Sequence, residues 1–206
     1  MDSAFNIQSY IHIKNSTVSI QSKTLFEHHS EDFSEFIKAA YRSLNINYPK
    51  FFKMDNLSKL AFLAADILIE NISKSKVNES DIAIILSNKA SSLDTDRKHQ
   101  KSISDNDNYY PSPSIFVYTL PNICIGEISI KHQLYSENSF FIFDAFSPKE
   151  LWVYSENLLK TKKAKKVLCG WIDFDAKKYE AFLYLVSEQG SIAHTPKEID
   201  RLYNTP

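Results

Sequence analysis

Glycine is scarce in this chain, with three in 206 residues. That scarcity argues against glycine-rich phosphate loops, and neither G-x-G-x-x-G nor G-x-x-x-x-G-K-[S/T] occurs. Cysteine is almost as rare. Cys124 and Cys169 each sit inside an apolar segment, the pattern of two reduced, buried thiols rather than of a disulfide framework. No charge of one sign dominates: 24 Lys and Arg against 25 Asp and Glu leave a formal net charge of -1, so no global field favours nucleic acid or an anionic membrane. Long hydrophobic runs are missing as well. "LAFLAADILI" and "IFVYTLPNICIGEISI" are too short, or too interrupted by polar residues and Pro121, to span a bilayer. The opening "MDSAFNIQSYIHIKNS" lacks the basic-then-apolar order of a secretory signal, and the expected location is the cytoplasm. No G-x-S-x-G elbow is present, so a hydrolase triad of that kind has no support.

What is present is an ordinary globular balance, 43% hydrophobic and 24% charged. The alternation in 8–20 predicts a half-buried strand, and Phe33, Phe36, Ile37, Ala40 and Leu44 fall at helical spacing over 31–44. Asp55 or Asn56 caps a second helix whose Leu60, Leu63, Ala64, Ile67 and Leu68 make a broad apolar face. "DIAIILS" (81–87) is nearly all apolar, as in a central strand covered on both sides. A short helix near 92–103 and a loop follow; 115–134 is expected to start extended, turn at Pro121-Asn122 and continue as a helix. Then come strand 139–143, helix 148–163 and strands 166–174 and 179–188. The order β-α-α-β-α-β-α-β-β predicts one α/β sandwich with a mixed sheet over 1–190, and a polar tail, 191–206, that frays.

The six histidines show no metal-binding spacing. His28-His29 reads as a solvated turn and His132 as a surface helix position, so no metal or cofactor is expected. Glu31-Asp32 and Asp94/Asp96 read as a helix start and a turn. Lys162, Lys163, Lys165 and Lys166 lie in a basic run at a helix C-terminus; the run either offsets the helix dipole or offers a landing patch for an acidic carrier protein. "SFFIF" (139–143) carries more apolar residues than one buried face needs.

Four ordered segments resemble β-ketoacyl synthases: "FFKMDNLSKLAFLAADILI", "IAIILSNKASSLDTDRKHQKSI", "YPSPSIFVYTLPNICIGEISIKHQL" and "VLCGWIDF". The third, similar to the family's P-S-P-x-x-F-x-Y-T-L-P-N-x-x-x-G-E-I-A-I, is the most specific. The resemblance covers about residues 50–188, and is closest to the short β-ketoacyl synthase-like N-terminal domain proteins. It implies a thiolase-like half, from a family whose relatives accompany aryl-polyene and flexirubin-type pigment clusters. The chain departs from that family in two ways. It has the length of one half, without the half that brings two assisting histidines. It also has Ala145 or Phe146, with Asp144 beside them, where the family places its nucleophilic cysteine at a strand-to-helix turn. Neither side chain can attack a thioester. In the family the strand matching 139–143 pairs across a dimer axis. The resemblance therefore implies a homodimer or heterodimer through Phe140, Phe141, Ile142 and Phe143, with Phe116 and Tyr118 nearby. It further implies a catalytically silent partner, like a chain-length factor, of a ketosynthase or acyl carrier protein. The alternatives are a non-standard acyl-transferring or condensing enzyme of the 3-oxoacyl-carrier-protein synthase type with a composite site, and a free-standing acyl-binding module.

Overall fold

The structure, a computed structural model, describes residues 4–30, 32–72, 81–104 and 109–205. Glu31 and part of the loop expected after the 92–103 helix lie outside the described residues. Among the described residues, eight strands make one mixed sheet: β1 (Asn6–Lys14), β2 (Thr17–Ile20), β3 (Lys23–Glu27), β4 (Ile82–Asn88), β5 (Asn138–Ile142), β6 (Lys166–Asp175), β7 (Lys178–Ser187) and β8 (Ile192–Ala193). The order is β3-β2-β1-β7-β6-β4-β5, with β8 also paired to β1. β4 runs parallel to β5 and β6, and the other pairs are antiparallel.

The central strands explain the apolar runs. Ile84 and Leu86 of β4 join one core, and Ala83 and Ile85 join the other; Leu168 and Ile172 of β6 are likewise opposed by Val167 and Cys169. Alternation therefore buries every residue of β4. On the first face pack α1 (Phe33–Ser43), α2 (Asn56–Ile72) and α5 (Ile123–His132); on the second pack α6 (Pro148–Lys160) and α7 (Pro196–Asn204). A register shift between Ile7 and Ser9 changes the phase of β1, so Ile7 and Tyr10 serve the second core while Ile11 and Ile13 serve the first. Each fully buried Leu or Ile contributes about 1.5–3 kcal/mol.

Local chemistry sets the element ends. Asp32 accepts the Glu35 amide at 2.9 Å to begin α1, and Asp55 accepts the Ser58 amide at 2.9 Å to begin α2. Asp173 of β6 accepts the Lys89 and Ala90 amides at 3.1 and 2.9 Å, fixing the loop between β4 and α3 (Leu93–Ile103). Asp94 and Asp96 lie in the first turn of α3, where Asp94 pairs with Lys98 and Asp96 accepts the Ser92 hydroxyl.

Three expectations need correction. The segment 8–20 is not one strand, because Asn15 and Ser16 both adopt left-handed φ and turn β1 into β2; Gln21 and Ser22 repeat the device before β3. Residues 115–119 are not extended. Pro113 opens α4 (Pro113–Phe116), which tightens into a 3-10 turn over Val117–Thr119 before the turn at Pro121 and α5. The segment after Gly190 does not fray. Gly190, at φ 141, brings the chain so close to Ile7 that a Cβ would lie 2.7 Å from the Ile7 carbonyl oxygen. β8 then pairs with β1, Thr195 accepts the Glu198 amide, Pro196 opens α7, and Ile199 and Leu202 enter the second core. Among the described residues no single helix is long and apolar enough to cross a membrane.

Candidate functional site

The turn from β5 to α6 is where a strand edge meets a helix N-terminus. Ser147 is the N-cap residue and Pro148 the first helical position. Amide hydrogens and the dipole at such a terminus favour a thiolate, but the side chains available are those of Asp144, Ala145 and Phe146. Asp144 and Ala145 are exposed. Phe146 turns inward and stacks on Tyr203 of α7 at 4.1 Å between ring centroids, with Trp171 and Phe182 meeting it edge-on at 6.3 and 5.7 Å. The Tyr203 hydroxyl donates to Glu180 at 2.7 Å, and the Trp171 indole N–H donates to the same carboxylate oxygen at 2.9 Å. The helix that ends the chain thus locks an aromatic cluster over this turn.

Behind the turn lies a set of polar groups that the sequence reading missed. Ser155 Oγ is 3.3 Å from His194 Nε2, and His194 Nδ1 is 3.1 Å from Glu156 Oε1. A serine, an imidazole and a carboxylate in that order have the form of a nucleophilic triad. Their surroundings do not suit one. Ser155 and His194 are fully buried, and Ser155 already donates to the Leu151 carbonyl at 2.7 Å, a bond that holds it in its own helix. The Trp152 indole N–H donates to the His194 carbonyl at 2.9 Å, and Lys160 reaches Glu156 at 2.7 Å. Burial lowers the His194 pKa to about 4, against the opposing pull of Glu156. The network ties α6 to the β8–α7 connection.

Both thiols are fully buried, matching the reading of two packing cysteines. Burial pushes Cys169 up to about 12 and raises Cys124 further, so neither carries a thiolate at neutral pH.

β5 is an edge strand, hydrogen-bonded only to β4 among the described strands. Ile142 is 50% exposed, and Phe140, Phe141 and Phe143 are half-buried. The Phe141 ring stacks on Tyr154 of α6 at 4.4 Å and on Phe143 at 5.7 Å, with interplanar angles of 24° and 4°. Tyr154 and Val153 remain exposed, which extends the apolar edge onto the helix. On α6, Tyr154 lies on the exposed side and Glu156 on the buried side, where His194 and Lys160 match it. Of the other two interface candidates, Phe116 is exposed beside His99. Tyr118 is buried and donates its hydroxyl to Glu127 at 2.9 Å, so it is a packing residue and not a surface one.

Of the basic run, Lys166 is buried, whereas Lys162, Lys163 and Lys165 are exposed at the helix end; Lys163 pairs with Glu137 at 2.9 Å and Lys165 with Asp81 at 2.6 Å. His28 accepts the Ser30 amide in the expected turn. His132 is not a surface residue. It is buried with its Nε2 2.9 Å from Asp66 Oδ1, and Glu70 completes the one convergent set of metal-ligating side chains among the described residues.

No family model matches the sequence, and no curated protein is detectably similar to it. Solved structures are. "The ishigamide ketosynthase/chain length factor" superposes with a TM-score of 0.67 at 14% identity over 90% of this chain and 62% of that one. A chain of "Ketosynthase (ApeO) in Complex with its Chain Length Factor (ApeC) from Xenorhabdus doucetiae" gives 0.61 at 12% identity, covering 97% of this chain and 90% of that one. "AntDE:AntF (apo): type II PKS acyl-carrier protein in complex with its ketosynthase bound to the hexaketide" gives 0.62 at 11%, covering 88% and 61%. This is the thiolase-like ketosynthase fold. The chain spans about three fifths of the ishigamide and AntDE:AntF matches but nearly the whole of its match in the ApeO–ApeC complex.

Proposed function

We propose that this ketosynthase-like chain is a catalytically silent partner of a ketosynthase, used in the synthesis of fatty-acid-like or polyene chains carried on an acyl carrier protein. The observation that carries the reading is the filled turn before α6. Phe146 packs into the Tyr203–Phe182–Trp171 cluster where the family resemblance calls for a thiol. Association is the role left to the fold, and the β5 edge supports it. An exposed apolar edge strand is an aggregation hazard unless a partner covers it. The occupant proposed is a ketosynthase subunit pairing along Asn138–Ile142, with Phe141, Phe143 and Tyr154 as aromatic anchors. The match of nearly equal extent in a complex of a ketosynthase with its chain length factor favours this over a homodimer.

Co-expression with a ketosynthase and an acyl carrier protein from the same organism tests the proposal. A stable complex with the ketosynthase, lost in Ile142→Asp, is the expected result. Recovery of the chain only as a free homodimer, with no binding to either component, contradicts it.

A further inference from the structure

Asp66 and Glu70 stand one helical turn apart near the end of α2, on the same face, and His132 is the last residue of α5. One ligand atom from each lies within 4.8 Å of the others. Asp66 and His132 are each about 5% exposed, whereas Glu70 is exposed. His132 Nε2 and Asp66 Oδ1 approach to 2.9 Å, a pair that is ionic only when the imidazole is protonated, and neither atom has another hydrogen-bond partner. A buried carboxylate oxygen and a buried ring nitrogen left this way are costly, and an ion between them is one of the few arrangements that accounts for both.

We infer that Asp66, Glu70 and His132 form a binding site for a first-row divalent transition cation of the zinc type. The donor set fits that class. One imidazole and two carboxylates suit zinc, manganese or ferrous ions, while calcium and magnesium prefer all-oxygen sites. Two carboxylates and a neutral imidazole also balance a charge of +2 locally. With bonds of about 2.0–2.2 Å, ligand atoms on a tetrahedron stand about 3.3–3.6 Å apart, so closing the site requires a shift of the exposed Glu70 side chain and little of the buried pair. A cavity of about 460 Å³ borders the two carboxylates, lined by Asp66, Glu70, Ile67, Lys131, Ile20 and Leu44 among others, and it leaves room for water as a fourth ligand. The Lys131 ammonium lies 5.9 Å from the Tyr48 ring centroid, held by a cation–π attraction. A cation here pins the end of α2 to the end of α5.

The test is titration of the metal-free full chain with Zn²⁺ alone, followed by calorimetry and by thermal unfolding, with Co²⁺ as a spectroscopic probe. The expected result is about one Zn²⁺ per chain, a midpoint that rises with Zn²⁺ concentration, and visible Co²⁺ bands from a low-coordinate N/O site. Glu70→Gln, a change at an exposed position, should weaken Zn²⁺ at least about tenfold while the metal-free protein keeps its unfolding midpoint. Asp66→Asn and His132→Gln should abolish binding, and Glu70→Gln decides the matter where those two fail to fold. Absence of saturable binding, unchanged affinity in Glu70→Gln, or loss of binding in His29→Ala instead would overturn the inference and leave Asp66–His132 as a buried ion pair.

Discussion

Acidification from about pH 7.5 to about pH 5 will weaken this fold through two buried imidazoles. Burial lowers His194 and His12 from 6.5 to about 4, with Glu156 and the backbone of Leu202 and Tyr203 opposing the shift. A histidine whose folded pKa lies below its unfolded value binds protons more readily when unfolded. Its stabilising effect is therefore complete above about pH 6.5 and is lost as the pH falls toward about 4. At pH 5 the unfolded imidazole is almost fully protonated and the folded one only about one-tenth so, which corresponds to about 2 kcal/mol per histidine. The pair together costs about 4 kcal/mol, a large share of the 5–15 kcal/mol that holds a typical domain. Urea unfolding at the two pH values measures the loss directly. His194→Gln removes one titrating group, so its pH dependence should shrink by about 2 kcal/mol even though its absolute stability also falls. Equal wild-type stability at both pH values, or an undiminished slope in His194→Gln, would refute the reasoning and reopen the Ser155–His194–Glu156 set as solvent-accessible machinery.

Further outcomes follow from the packing. Gly170→Ala places a Cβ 2.0 Å from the Phe182 carbonyl oxygen between β6 and β7, and should cost about 3 kcal/mol or prevent folding, read by circular dichroism and urea midpoint. Phe146→Ala removes a half-buried ring from the Tyr203 stack and should cost about 2 kcal/mol in the same assay, with no thioester turnover gained. Ile142→Asp alters an exposed side chain, so its unfolding free energy should stay within about 0.5 kcal/mol of wild type while ketosynthase binding, followed by sedimentation, is lost. Cys124 and Cys169 should resist iodoacetamide in the folded protein and react only in denaturant, as intact mass will report.

The sandwich was legible where pattern and burial agree. β4 reads as a doubly covered strand because both its faces are covered, and α2 reads as a buried helix because apolar residues surround it almost completely. Turns without glycine hid the first two hairpins: Asn15-Ser16 and Gln21-Ser22 reach left-handed φ without the Asn-Gly pair that announces such turns. The start of 115–134 was expected to be extended, but Pro113 at a first helical position decided for a helix. The end of the chain carried a usable signal, Thr195 with Glu198 three residues on and Ile199 and Leu202 at helical spacing, outweighed by its polarity. The position of the turn before α6 was readable from strand-turn-helix order. What fills it was not, because Phe146 meets Tyr203 far along the chain. His132 was misplaced for a related reason: it is buried against Asp66 of another helix, a juxtaposition that its own segment does not announce.

The most direct measurement is intact mass spectrometry of the purified chain after incubation with acyl-pantetheine and acyl carrier protein thioesters. The account predicts an unmodified mass and no thioester consumption, with Phe146 seated against Tyr203 and both cysteines closed to solvent. A covalent acyl adduct on Cys169 or Ser155, removed by substituting that one residue, would contradict it.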